Sequence, residues 1–315
     1  MMQTTEFNYE RAFARNRGLL SAEEQHTLRR SCVALAGLGG VGGAHLQALT
    51  RMGIGAFRLA DPDTFEVVNF NRQSGARLDS LGRNKAEVMA ETARSINPEA
   101  CVQTFTEGIS RANLNAFLAG ADVVIDGLEF FCIETRRMLF ADCRERRIPI
   151  ITAGPIGYGA SVLVFTAEGQ PFETFFRIEP EMTRAEQILA FALGLAPGLG
   201  GDVDPRYVDV EEQKGPALAS SCLLCAAAAA TEVLKLLCKR GRISAAPKGV
   251  HYDLFRGRSV TLRPRPSLTR SLRGRLLRWI AFRRFPAFAA QHAREFASRE
   301  GAVTTALSAT GNVAH

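Results

Sequence analysis

The stretch Ser31-Cys-Val-Ala-Leu-Ala-Gly-Leu-Gly-Gly-Val-Gly-Gly43, followed by Leu59-Ala-Asp-Pro-Asp63 and Val68-Asn-Phe-Asn-Arg-Gln73, decides how the chain is read. Cys32 to Ala36 is a continuous apolar run, which suits a strand buried on both faces of a parallel sheet. Gly37, Gly39 and Gly42, with Gly40 between them, offer a tight turn, close backbone approach to a phosphate and close helix packing. The helix that follows presents unpaired N–H groups to an anion. Asp61, about 20 residues on, ends a second strand, where a carboxylate accepts ribose hydroxyls. The fingerprint alone fits NAD, FAD, a methyl donor or ATP.

Outward from this turn, short apolar runs alternate with helical patterns of about ten residues. Ser21 to Arg30 reads as a helix with Ser21 and Glu24 in capping-box spacing. The strand Ala56 to Ala60, helix Asn84 to Ile96, strand Cys101 to Phe105, helix Asn113 to Ala119, strand Asp122 to Asp126, helix Ile133 to Arg146 and strand Pro149 to Thr152 follow. The alternation predicts an α/β fold, a doubly wound Rossmann-like sheet. Ala160 to Phe165 reads as a further strand, and residues 166–216 as a loop-rich crossover with one helix, Arg184 to Leu193, stopped by Gly194. Ala217 to Lys239 is a strong helix, and His251 to Phe255 with Ser259 to Leu262 a closing hairpin, an additional antiparallel part. The expected organisation is an N-terminal helical arm (1–30), a nucleotide domain (31–262) and a separate basic helical extension (263–315) whose tail from Gly301 is expected to be mobile.

The formal charge of +7 suggests a polyanion partner until its location is considered. Eight arginines and no acid lie between Arg263 and Arg284, which leaves 31 basic against 32 acidic residues elsewhere. The basicity belongs to one segment and not to a face spread over the fold. Ser271 to Phe285 places Leu272, Leu276, Trp279, Ile280 and Phe282 largely on one side of a helix, which suits an anionic membrane surface, an acidic partner or packing on the body. Nucleic acid is disfavoured, because no stacking platform or groove-reading motif accompanies the charge. Seven cysteines without a framework spacing, and no signal peptide at the N-terminus, predict a reducing, cytoplasmic setting. No uncharged run is long and apolar enough to predict a membrane span.

Beyond the turn, Asn69, Arg72 and Gln73 fall within a dozen residues of Asp61, and Lys85 opens the next helix. Two cations and an amide suit a triphosphate, whose charge must be neutralised as pyrophosphate leaves, more than the diphosphate of a dehydrogenase cofactor. The ordered set Arg15-Asn-Arg-Gly18, Gly37-Leu-Gly-Gly-Val-Gly42, Asp61-Pro-Asp63, Asn69-Phe-Asn-Arg-Gln73, Leu81-Gly-Arg-Asn-Lys85, Ile96-Asn-Pro98 and Val124-Ile-Asp126 resembles the ThiF/MoeB/HesA adenylyltransferases, relatives of the ubiquitin-activating enzymes, from about Arg15 to Leu262.

The resemblance implies an ATP- and magnesium-dependent reaction in which a terminal carboxylate attacks the α-phosphate, giving an acyl-adenylate. The partner would be a small ubiquitin-like or sulfur-carrier-like protein, or a peptide, with a free C-terminus. Asp61 and Asp63 would then lie at the nucleotide, with Asn69, Arg72, Gln73 and Lys85 along the phosphates. Arg17 or Arg15 would reach into the site of a second copy, which implies a homodimer. Magnesium is expected at Glu129, with Asp126 beside it, although the family carries aspartate three residues after the strand-ending Asp. The extra methylene shifts the charge by about 1.5 Å and can weaken or re-aim the metal site. The solvated alternatives are that Arg15, Arg17 and Arg72 are surface residues, and that Lys85 pairs with an acid such as Glu87.

Between Cys143 and Cys222 there is no cysteine, which argues against a thioester or persulfide step in the crossover. Cys222 and Cys225 form a single pair on an alanine-rich helix, so no zinc is expected and core packing is the favoured role, with Cys222 as a nucleophile near the helix start the lesser one. His26 and His45 read as surface or packing residues. Four readings are carried forward: adenylation of a protein or peptide carboxylate, a tRNA-modifying dehydratase of the same family, an NAD-dependent oxidoreductase, and a catalytically silent nucleotide-binding module.

Overall fold

The computed structural model describes residues 6–196 and 202–311, the last part of its final helix as backbone. The strands are β1 Cys32–Ala36, β2 Ala56–Ala60, β3 Cys101–Phe105, β4 Val123–Asp126, β5 Ile150–Ile156, β6 Gly159–Phe165, β7 Gly249–Asp253 and β8 Arg258–Leu262. The helices are α1 Tyr9–Ala12, α2 Ala22–Arg30, α3 Gly42–Met52, α4 Lys85–Ile96, α5 Leu114–Leu118, α6 Ile133–Glu145, α7 Phe172–Phe176, α8 Arg184–Leu195, α9 Ala219–Leu237, α10 Leu272–Arg284 and α11 Pro286–Gly311. They build one sheet of order β3-β2-β1-β4-β5-β6-β7-β8, parallel from β3 to β5 and antiparallel beyond.

Period-two alternation divides each central strand between two cores. Val33 and Leu35 of β1 and Val123 and Ile125 of β4 face one layer, with Leu46 and Leu49 of α3, Met89 of α4 and Ala229 and Val233 of α9. Ala34, Ala36 and Val124 face the other, with Phe117 of α5, Leu139 of α6 and Phe191 of α8. Burial on both faces is why these strands are unbroken apolar runs. The chain moves outward from β1 to β3, then crosses back to place β4 on the other side of β1. That reversal opens a crevice at the carboxyl ends of β1 and β4.

Three local expectations are revised. Strand β5 does not stop at Thr152 but continues through Gly154 and Pro155 to Ile156, because it pairs antiparallel with β6 down to a two-residue turn, Ile156 facing Gly159. Gly194 does not stop α8; it lies inside the helix, where an added Cβ would stand 2.4 Å from the Phe176 ring, so glycine permits a close aromatic contact. That ring belongs to α7, a five-residue helix buried through Phe172, Phe175 and Phe176 and too short to carry a periodic signal.

The C-terminal extension is not a separate unit. Leu268, Ala281 and Phe288 are buried in the same core as Ile188 and Phe191 of α8. Arg265 donates to the carbonyls of Leu193 (3.2 Å) and Ala196 (2.6 Å), Arg270 pairs with Glu181 at 3.0 Å, and Arg278 pairs with Glu186. Charge counting missed this because the matching acids, Glu179, Glu181 and Glu186, lie about ninety residues upstream. The backbone of α11 also runs on through Gly301 to Gly311. Replacing Phe288 with alanine is therefore expected to cost about 3–5 kcal/mol in urea unfolding of the whole protein, the range for a buried phenylalanine; an independent extension would leave the main transition unmoved.

Candidate nucleotide site

The glycine turn sits at the crevice. Gly37 has φ +89, and a Cβ on it would lie 2.2 Å from the Gly127 carbonyl oxygen after β4. A Cβ on Gly42 would lie 1.9 Å from the Gly37 oxygen. Gly39 and Gly40 are not pressed by backbone: their nearest neighbours are Gln73 Nε2 at 3.6 Å and, for Gly40, Cys222 Sγ at 3.1 Å and the Arg72 stem at 3.5 Å. The first pair lets three backbone segments touch, and the second pair meets side chains only.

Asp61 is buried at the end of β2, and its two oxygens each accept one amide, Leu38 N at 2.6 Å and Asp63 N at 2.9 Å. Each oxygen keeps acceptor capacity for a ribose hydroxyl. Burial raises its pKa, opposed by nearby Lys85 and by the Leu38 and Asp63 amides. Lys85, also buried, donates from Nζ to Asp63 at 2.9 Å and not to Glu87; two of its protons remain for another acceptor. Asn84, where the sequence starts this helix, caps α4 through Ala86 N and Glu87 N and ties that cap to the carbonyls of Asp61 and Asp63, fixing Lys85 against the end of β2.

Asn69 has a structural task here. Its Oδ1 accepts from Glu66 N at 2.9 Å and closes the 3-10 turn Val67–Asn69, and its carbonyl accepts from the amides of Arg72 and Gln73. That turn launches the next two residues over the glycines. The Arg72 guanidinium has uncharged partners, Asn71 Oδ1 at 2.9 Å and Val68 O at 3.3 Å, and no carboxylate partner among the described residues. Gln73 is buried with Oε1 lacking any hydrogen-bond partner. Gln73 Nε2 is the atom that faces Gly39, so a guanidinium without a carboxylate partner among the described residues and an amide donor border the glycine turn, groups from which a polyphosphate can accept.

The expected carboxylate pair does not form. Asp126 is fully buried against Arg136 of α6, Nε to Oδ2 2.8 Å, and its other oxygen accepts from Leu128 N at 3.3 Å. The Asp126 carboxyl group is wholly enclosed and ion-paired, so it presents no open face to magnesium. The same guanidinium donates to the carbonyls of Leu128, Glu129 and Phe130 and lies 4.5 Å over the Phe191 ring. Arg136 thus shapes the loop that carries Glu129, and nothing in its spacing distinguished it from the neighbouring Arg137. Glu129 accepts from Phe131 N at 2.6 Å and remains open to solvent. Desolvation by the loop raises its pKa, against the pull of the Phe131 and Phe130 amides, Arg136 and Arg184. Among the described residues no group of three or more His, Cys, Asp and Glu could hold a metal on its own.

Cys222 lies against Gly40 beside Arg72, yet burial pushes its thiol up and Arg72 only partly offsets this, so the lowered pKa of a nucleophile is not found. Cys132, before α6, is also raised, by burial and then by Glu129. Cys225 and His45 are core residues; burial drives the thiol of the first well up and the imidazole of the second down to about 3. Arg17 is not brought to this site within its own chain. The arm is clamped to the far end of α3 by Tyr9 to Gly53 O at 2.5 Å and Asn16 to Met52 O at 3.1 Å, and α3 itself is about 16 Å long. Arg17 is exposed there and meets Glu10 at 3.4 Å; Arg15 is exposed as well.

These features define a doubly wound α/β domain with a glycine turn at its topological switch point. The model of the ThiF family matches residues 13–271, and the chain belongs to that family. It is 37% identical over 151 residues, 48% of its length, to the tRNA threonylcarbamoyladenosine dehydratase of Haemophilus influenzae, of which 57% is covered. It is 30% identical over 148 residues, 47% of its length, to the molybdopterin-synthase adenylyltransferase of Escherichia coli, of which 59% is covered. The chain thus spans less than two thirds of these relatives. In fold it is similar to the Escherichia coli tRNA N6-threonylcarbamoyladenosine dehydratase crystallised with ATP, with a TM-score of 0.55 and 24% identity over 73% of this chain and 95% of that one. If Arg136 alone neutralises Asp126, Arg136→Ala leaves a buried unpaired carboxylate and costs about 3–5 kcal/mol in urea unfolding, whereas the double variant Asp126→Asn/Arg136→Met recovers part of the loss.

Proposed function

We propose that the protein is an ATP-dependent adenylyltransferase that activates the C-terminal carboxylate of a small protein or peptide as an acyl-adenylate, releasing pyrophosphate. The observation that carries this is Arg72, whose guanidinium has no carboxylate partner among the described residues and whose aliphatic stem lies against Gly40, with the Gln73 amide nitrogen beside Gly39. Asp61 would hold the ribose, the glycine turn and α3 N-terminus the phosphates, and Arg72 and Lys85 the charge that develops as pyrophosphate departs. Lys85 is preset by Asp63, so its ammonium needs no reorganisation when ATP arrives.

Magnesium fits as an ion held by one protein carboxylate and the phosphates, the common arrangement for this cation. Glu129 is the carboxylate with a solvent-open face at the mouth of the crevice, and bound magnesium would neutralise phosphate charge. The fixed distance between Arg17 and the glycine turn of its own chain supports a homodimer in which Arg17 serves the second copy. A second reading concerns the acceptor only: the similarity to tRNA threonylcarbamoyladenosine dehydratase favours a carboxylate carried on a tRNA nucleoside.

Pyrophosphate exchange into ATP tests the reaction, with candidate peptides ending in a free carboxylate and with total tRNA as alternative acceptors. Exchange with peptide supports the first reading, exchange with tRNA the second, and NAD-induced thermal stabilisation without any ATP effect overturns both. Arg72→Ala is expected to lower the exchange rate on the order of a hundredfold or more, with a smaller effect on ATP affinity. Because the Glu129 carboxyl titrates above its ordinary range, exchange should fall as the pH drops through that raised value, and Glu129→Gln should lose both that acid limb and most of the magnesium response. Arg17→Ala and Arg72→Ala should each be inactive alone, and mixing them should restore about a quarter of wild-type exchange if Arg17 acts across a two-fold interface; no restoration would argue for action within its own chain, and an active Arg17→Ala protein would remove it from the reaction.

A further inference from the structure

Helix α10 presents apolar residues on two faces, not one. Ala281 is buried in the core and Leu277 and Phe282 pack against it. On the outside Leu272 is 77% exposed, Leu276 57% and Trp279 55%. The spacing of these three, and of exposed Arg283 after them, is i, i+4, i+7 and i+11, one ridge along the helix. Arg273 and Arg275 project on its two sides, exposed, and Arg263 is exposed just upstream. None of these four arginines has an acidic partner among the described residues, unlike Arg270 and Arg278, which staple the helix to the body. The Arg283 guanidinium lies 5.1 Å over the Trp279 ring, so the aromatic and the cation sit at one level of the ridge.

We propose that the α10 ridge is a docking surface for an anionic lipid bilayer. Three large apolar side chains on a convex helix form no groove and fall well short of the roughly 1,000 Å² that a specific protein interface buries. A bilayer asks less: two leucines and an interfacial tryptophan enter the boundary between headgroups and acyl chains while flanking arginines meet anionic headgroups. Charge complementarity names that occupant, since the segment from Arg263 to Arg284 carries no acid. This inference is independent of the nucleotide reading.

Trp279 is the sole tryptophan, so the unlabelled full chain reports on its own ridge. Vesicles of equal parts phosphatidylglycerol and phosphatidylcholine should shift its emission to the blue and bring it within reach of brominated-lipid quenching, whereas phosphatidylcholine alone should not. Added salt should weaken the effect. Arg273→Glu/Arg275→Glu and, separately, Leu272→Ser/Leu276→Ser should each reduce partitioning at least about tenfold with unchanged thermal unfolding, because all four side chains are exposed. The proposal is overturned if the anionic vesicles leave the emission unmoved at low salt or if neutral vesicles shift it equally. A response to polyglutamate but not to vesicles would assign the ridge to an acidic protein, and a concentration-dependent shift without lipid would assign it to a second copy.

Discussion

Where β1 and β4 end, three backbone segments meet with no side chain between them. The Gly37 carbonyl fills the space that a Cβ on Gly42 would need, and the Gly127 carbonyl fills the space of a Cβ on Gly37. Because protein interiors are close-packed and do not stretch to admit an extra atom, this contact fixes the entry of α3, the height of the turn above the sheet and the path of the loop after β4. The Leu38 amide that anchors Asp61, and the side of Gly39 and Gly40 against which Arg72 and Gln73 lie, follow from that placement.

Electrostatics completes the site in two opposite ways. At Asp126 a buried carboxylate is fully answered by Arg136, an arrangement that fixes geometry and leaves nothing over for a ligand. At Arg72 the cation is held by neutral oxygens and meets no carboxylate among the described residues. Lys85 is intermediate, engaged by an Asp63 that is itself largely solvated. The distribution separates groups that build the crevice from groups that face it, although all of them are charged residues within a few positions of a glycine or a strand end.

The parallel half of the fold was legible because each strand there is buried on both sides and shows as a continuous apolar run; β1, β2 and β3 begin and end where the pattern predicts. The Ser21 and Thr183 caps follow from local chemistry, each with a glutamate three residues on. What was hidden depended on partners distant in sequence. Arg136 looks like any charged residue of a surface helix until β4 places Asp126 beside it. The arginines after Arg263 looked like one solvated run, and only tertiary packing divides them into staples and a free ridge. Asn69, expected along the phosphates from its position in a motif, also uses its Oδ1 to close the turn that positions Arg72 and Gln73, a task its spacing does not show.

The packing of Phe288 into the core beside α8 sets an order of events during synthesis. Phe191 leaves the ribosome roughly a hundred residues before Phe288, an interval of about 5–20 s at ordinary elongation rates. Through that interval the face of α8 that packs against α11, and the Phe131 ring beside it, stay uncovered. A chain stalled or cleaved before α11 emerges is left with this surface exposed, a natural target for chaperones and for quality-control proteolysis.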